Sequence, residues 1–373
     1  MPASETAAVR HYQDLGAWVV ADKETARAAL GDASLSSRTV ENGFYLPAGL
    51  REECAELLDV VSRWFVLRDG EDHLAARRAI QPMFSPGKIR KLRGDIDAIV
   101  GQVLDELPDS GVVDVVPRLT EQISARALAR LLGLPGTGVD ELHRWARALA
   151  AFLAASYRKD HARAAQDALR QMRVRFQAGA DGEDTIWNRV DGSPEDRLAT
   201  CSMVLFGGLE TTTSLMGTAL WYVLENRLVE QVTGTAGAAE AESVVERVLE
   251  LYPPLGHVAR SADADIELGG CPVSRGDLVL VSLTGRDPFE ATPPPTPPPR
   301  HTPGAPRADH LAFGHGMHYC SGAALARLET VALLDGFGRR HPQARVHDST
   351  WGTNRTYRGF DRLGVDLSPR AGK

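Results

Sequence analysis

The chain has 373 residues, 43% of them hydrophobic, enough to bury a large core in one domain or two. A formal net charge of −7 argues against a general nucleic-acid binder, because neutralising phosphates calls for a surplus of basic residues. Cys54, Cys201, Cys271 and Cys320 are too scattered for a disulfide framework or a zinc knuckle and fit a reducing cytoplasm. The start carries no basic-then-apolar leader, and no apolar run is long enough to span a bilayer.

In chain order, "GAWVVA" reads as a strand and "DKETARAALG" as a helix opened by Asp22, with Glu24 in its first turn. "VVPRLTEQISARALARLLGLP" sets Leu119, Ile123, Ala127, Leu128, Leu131 and Leu132 on one helical stripe and stops at Gly133 and Pro135. The stretch from Asp140 to Gly179 predicts two helices meeting near Tyr157 to Asp160. Residues 197–226 are apolar on nearly every face, so the helix they form should be buried centrally. "ADIELGGCPVSRGDLVLVSL" predicts a strand pair around a Gly-Gly turn, and "LGVDL" a late strand. The expectation is therefore a mainly α protein with a small β region. "ATPPPTPPPRHTPGAP", residues 291–306, is half proline and reads as an ordered, stiff meander within one domain spanning 1–373.

Two segments carry chemistry. "FGHGMHYCSGAALAR" places Cys320 in a glycine-rich bend ahead of a helix whose N-terminal amides would favour a thiolate. A single thiolate can serve as the only protein ligand of haem iron, provided the surrounding backbone is small enough to approach a flat macrocycle. A buried core cysteine and a nucleophile are the alternatives at this point. Within residues 197–226, "GGLETTT" weakens the helix, and the Thr211 hydroxyl can bond back to the Gly207 carbonyl.

The bend resembles the haem-binding loop of bacterial cytochrome P450 enzymes, with Phe313, Gly314, Gly316, His318, Cys320, Gly322, Leu325, Ala326 and Arg327 at the family's spacings, and the likeness extends along nearly the whole chain. Ser321 departs from the aliphatic residue common after the cysteine. The resemblance implies the cytochrome P450 fold, a triangular helical prism with a long central helix over the haem. It implies haem b (iron protoporphyrin IX) with an axial Cys320 thiolate. Glu210 and Thr211 would be the acid and alcohol that organise protons for O–O cleavage. His73, Arg77, Arg260 and His318 would hold the haem carboxylates, with Phe313, Gly314 and Gly322 shaping the loop. Substrate should meet Leu205, Phe206, Gly207, Gly208, Leu255, Gly256, His257 and Val258, with further contacts from residues 42–62, 145–170 and 351–354.

One motif departs from the family. Where a Glu-x-x-Arg pair is expected before "LYPP", the chain has Arg247 and Glu250, the reverse order. An ion cluster of inverted polarity is expected, Glu250 bridging Arg247 and Arg300; a shifted register in which Glu246 is the important acid is the other reading.

The implied function is a cytoplasmic haem-thiolate monooxygenase that hydroxylates, epoxidises or oxidatively couples a small or medium-sized, or peptide-like, biosynthetic intermediate with dioxygen. No flavin or nicotinamide fingerprint occurs, so electrons would come from a ferredoxin and its reductase, docked near Arg63, Arg77, Arg78, Lys88, Arg90, Lys91 and Arg93. Neither nucleic acid nor membrane is an expected partner. The alternative is a catalytically impaired relative that stabilises a partner enzyme.

Overall fold

The computed structural model describes residues 8–38, 48–134, 136–179, 184–289, 298–302 and 309–367. Its helices, in chain order, are α1 (Lys23–Gly31), α2 (Ala48–Glu53), α3 (Ala55–Ser62), α4 (Gly70–Ile80), α5 (Pro86–Asp105), α6 (Glu121–Leu132), α7 (Val139–Ala154), α8 (Lys159–Gly179), α9 (Ile186–Arg189), α10 (Pro194–Glu225), α11 (Gly234–Leu251) and α12 (Ala323–Arg340). Local chemistry sets several of their ends. The Asp22 carboxylate accepts from the amides of Glu24 and Thr25 at 3.0 and 2.9 Å, capping α1. Gly133 closes α6 in the left-handed region, φ 82°.

Helix α10 organises the molecule. Ser193 and Asp196 form a reciprocal capping box, and Pro194 stands where a helix needs no amide donor. Thirty-two residues then run about 48 Å at 1.5 Å each. From Leu198 to Leu224 the helix is buried on nearly all sides, with α6, α7, α11 and α12 packed around it. Its apolar sequence is thus explained by position: a helix with no solvent face has no need of a polar stripe. No helix among the described residues is long and apolar enough to cross a membrane.

The β region is larger than the sequence suggests. Strands β1 (Val9–Tyr12), β2 (Ala17–Val20), β3 (Leu35–Ser36), β5 (His257–Ala262) and β8 (Leu278–Ser282) form a sheet in the order β1-β2-β8-β5-β3. Among the described strands only β2 and β8 pair in parallel, with Ala17 opposite Leu278. Strands β4 (Gly111–Asp114), β9 (Arg345–Trp351) and β10 (Phe360–Leu367) make a second sheet in the order β4-β10-β9. The Gly-Gly turn joins β6 (Ile266–Leu268) to β7 (Cys271–Val273), with φ 57° and 79° at Gly269 and Gly270. A Cβ on Gly269 would lie 2.6 Å from Val9, so only glycine fits. Most of the proline meander lies outside the described residues; of it, 298–302 are described.

Candidate active site

The segment from Leu311 to Gly322 folds back on itself. The Gly314 amide bonds Leu311 O at 2.8 Å, Tyr319 N bonds Gly316 O at 3.2 Å, and Cys320 N closes the bend on Phe313 O at 2.9 Å. Gly316 needs its φ of 68°, and a Cβ there would stand 3.0 Å from the Leu30 carbonyl. Helix α12 starts directly after, and the amides of Gly322 and Ala323 turn towards the cysteine sulfur. Burial pushes the Cys320 thiol up; those amides and the charges of Arg77 and Arg327 pull it down. Cys320 lies deep in the molecule yet is solvent-accessible, because it opens on an internal cavity.

That cavity, about 320 Å³, brings together residues far apart in sequence. Cys320, Phe313, Gly314, His318 and Gly322 line it from the loop, and Phe206, Gly207, Gly208, Thr211 and Thr212 from α10. The Thr211 hydroxyl donates to Gly207 O at 2.8 Å, the bond anticipated from the spacing. Leu255, Val258 and Arg260 line the cavity from the start of β5, whereas Gly256 and His257 do not. Strand alternation accounts for His257: Val258 and Arg260 share one face, so the residue between or before them turns to the other. His257 faces Phe289 instead, 5.4 Å between ring centroids, and burial lowers its pKa. Gly256 is tucked against Arg355 O and Thr356 O. Leu205 is also misassigned by sequence, being fully buried in the core. Residues 48–62, 145–170 and 351–354 do not line this cavity either, and 42–47 lie outside the described residues. Phe65, Val66, Tyr357 and Glu329 line it instead.

The expected carboxylate-holding residues converge at one end. His73 and Arg77 both reach the Met317 carbonyl, at 3.1 and 2.9 Å, and the other ring nitrogen of His73 lies 2.8 Å from Phe65 O. Their bonds are therefore to backbone, which fastens α4 to the cysteine loop. Arg260 is buried and donates to Ala259 O at 2.8 Å; burial lowers its pKa, against the pull of Asp69. His318 Nε2 contacts Asp69 Oδ1 at 3.0 Å and Ser37 Oγ at 3.1 Å, while its Nδ1 is buried without a partner. Burial opposes ionisation of Asp69, but hydrogen bonds from His318, Ser36 and the Ser37 amide outweigh it and bring its pKa down to about 2. His318 and Arg260 thus face Asp69, while His73 and Arg77 bond the loop backbone, all beside a cavity with a thiol. An orphaned imidazole nitrogen and an uncompensated guanidinium suit an anionic, metal-bearing planar group, so the residues present fit a haem.

Glu210 behaves differently from Thr211. Consecutive helical residues point about 100° apart, and Glu210 opens on a second cavity of about 310 Å³, lined also by Glu121, Arg147, Thr213, Ser214 and Tyr357. Its carboxylate lies 3.4 Å from both His143 Nδ1 and Arg147 Nε, and Arg147 also pairs with Glu121 at 2.6 Å. Burial works against ionisation of Glu210, but His143 and Arg147 hold its pKa below the usual carboxylate value. Of the residues found here, Tyr357 borders both cavities.

Arg247 and Glu250 do pair, three residues apart on α11. Arg300 lines the same cleft of about 740 Å³ but makes no ion pair with Glu250, so the proposed bridge across three residues is absent. Among the basic residues suggested for docking, Arg63, Arg78, Lys88 and Arg93 are engaged by Asp59 and Asp196, Glu71, Asp184 and Asp97 respectively. Arg90 and Lys91 remain exposed on α5.

No protein-family model matches the chain. It is 28% identical to 6-deoxyerythronolide B hydroxylase of Saccharopolyspora erythraea, across 97% of this chain and 94% of that protein. It is 29% identical to vitamin D3 dihydroxylase of Streptomyces griseolus, across 90% and 83%. Among solved structures, the tirandamycin C-bound P450 monooxygenase TamI superposes with a TM-score of 0.76 at 26% identity, covering 94% of this chain and 90% of that one. The epothilone D-bound cytochrome P450epoK gives 0.83 at 22% identity, covering 97% and 93%, a likeness of fold.

Proposed function

We propose that the chain is a cytochrome P450 monooxygenase inserting oxygen into a polyketide-like biosynthetic intermediate, with hydroxylation as the reaction. The observation that carries this reading is the single cavity joining the Cys320 thiol to the Thr211 hydroxyl. Similarity to proteins named 6-deoxyerythronolide B hydroxylase and vitamin D3 dihydroxylase supports a medium-sized, largely apolar substrate. Haem b, held by Cys320, supplies the reductive activation and cleavage of dioxygen when bound.

The chain's own residues do the rest. Cys320, with the Gly322 and Ala323 amides aimed at its sulfur, provides the thiolate. Arg77, Arg260 and the unpartnered Nδ1 of His318 would hold the macrocycle's carboxylates. Thr211 holds a hydroxyl at the cavity wall, its own proton given to Gly207 O, so that its oxygen accepts from a water and orients it. Glu210 stands in the second cavity beside His143 and Arg147, which favour its carboxylate form. Phe206, Leu255 and Val258 give apolar walls that exclude bulk water and seat the substrate. Electrons arrive from a ferredoxin served by a reductase, in the cytoplasm.

The test is reconstitution with ferredoxin, reductase and isotopically labelled dioxygen over a panel of macrolactones and other polyketides. One labelled oxygen in a product supports the reading. A haem-free protein, or one whose reduced carbon monoxide spectrum shows neutral axial ligation, would refute it and favour a role in stabilising a partner enzyme.

A further inference from the structure

The acidic and basic residues near the end of α11 form two pairs along one cleft that differ in burial. Arg247 and Glu250 meet on the outer face, their side chains 38% and 34% exposed, where a pair contributes little because water already solvates both charges. Glu246 turns inward. It is buried, and both its carboxylate oxygens are taken by the Arg327 guanidinium, Nε to Oε1 at 2.5 Å and Nη2 to Oε2 at 3.2 Å. This is the two-pronged geometry in which arginine binds carboxylate most directionally.

Arg327 sits seven residues after Cys320, in the first turns of α12, and touches the chain on both sides of the cysteine. After it, Nη1 donates to Ala323 O at 3.4 Å. Before it, the guanidinium carbon lies 4.5 Å from the centroid of the Phe313 ring, an attractive contact between cation and π face. Phe313 is also the residue whose carbonyl takes the Cys320 amide. His310, at the start of the same loop, places Nε2 3.4 Å from Glu246. The loop on one side of the thiol and the helix on the other are thereby tied to one carboxylate on α11.

We propose that Glu246 and Arg327 form the clamp that positions the Cys320 loop, taking over the anchoring that the reversed Arg247 and Glu250 pair cannot supply from the surface. Both are positioning residues: neither lines the cavity that Cys320 opens on, and each acts through Phe313 and Ala323 on the direction of the sulfur. The inference rests on the cytochrome P450 reading of the site.

The experiment compares the haem-loaded wild type with Glu246→Gln, Glu246→Asp, Arg327→Lys, Arg247→Ala and Glu250→Ala. Two readouts are taken: the carbon monoxide difference spectrum after dithionite reduction, and the rate of haem transfer to apomyoglobin. Glu246→Gln and Arg327→Lys should convert much of the red-shifted, thiolate-type band to the neutral-ligand type. They should also speed haem transfer roughly tenfold or more, since Glu246→Gln leaves the Arg327 guanidinium without its counter-charge and Arg327→Lys loses the two-pronged fork. Glu246→Asp should retain more of the red-shifted band than Glu246→Gln, because the charge remains; it also serves should the Gln variant fail to fold. Arg247→Ala and Glu250→Ala should match wild type in both readouts. A wild-type band in Glu246→Gln and Arg327→Lys, or its loss in Arg247→Ala or Glu250→Ala, overturns the proposal. A wild type without any red-shifted band would instead overturn the family reading beneath it.

Discussion

Glu329 allows a prediction whose size follows from the structure. It lies on α12, only 2% exposed, with Oε2 lacking any hydrogen-bond partner, and it lines the cavity that Cys320 opens on. Burial alone pushes its pKa from 4.5 up to about 8. A carboxyl with a raised folded-state pKa binds more protons folded than unfolded. Its contribution is therefore complete below the unfolded value of 4.5 and is lost progressively as pH rises towards 8. Within that window the loss is ~1.4 kcal/mol per pH unit, about 5 kcal/mol in all. Glu329→Gln keeps the shape and polarity but cannot ionise. Relative to wild type, the variant should gain about 3 kcal/mol between pH 6 and pH 8. Urea denaturation of both proteins across pH 5–9, followed by circular dichroism, measures the difference directly. Parallel profiles would refute the reasoning, because they would mean that Glu329 ionises in the folded protein as readily as in the unfolded chain.

Three further outcomes follow from the site. Thr211→Ala should keep substrate binding but lower product formed per electron pair by roughly tenfold or more, as loss of a positioned proton-handling group does; Thr211→Ser should restore it, and unchanged coupling in the alanine variant would remove the role. Asp69, held down to about 2 by His318, Ser36 and the Ser37 amide against burial, contributes stability above its ordinary pKa of 3.8 that is lost as pH falls towards 2. Asp69→Asn should cost about 2 kcal/mol at pH 7, with the gap to wild type closing in acid, as thermal melts at pH 7 and pH 3 would show. Arg90 and Lys91 are exposed on α5, so changing both to glutamine should slow reduction by ferredoxin several-fold at low salt, roughly, and not at high salt; stopped-flow traces that coincide at both ionic strengths would exclude this docking face.

The parts of the site that could be read from sequence are those whose cause is local. Glycines around Cys320 announce a bend because glycine alone takes the positive φ that Gly314 and Gly316 adopt. The bond from Thr211 to Gly207 O spans one helical turn, so spacing predicts it. An apolar run as long as α10 has to be buried whatever packs on it. Tertiary structure decided everything that depends on direction across elements. Strand β9 is polar along most of its length and becomes a strand only because β10 supplies its hydrogen bonds. Strand register turned His257 away from the cavity, and helical rotation sent Glu210 to a different cavity from its neighbour Thr211. Arg247 and Glu250 look like the important charges in a line of text, because they are three residues apart. The buried pair is Glu246 with Arg327, 81 positions away, and its importance comes from the loss of water around it, which no spacing records.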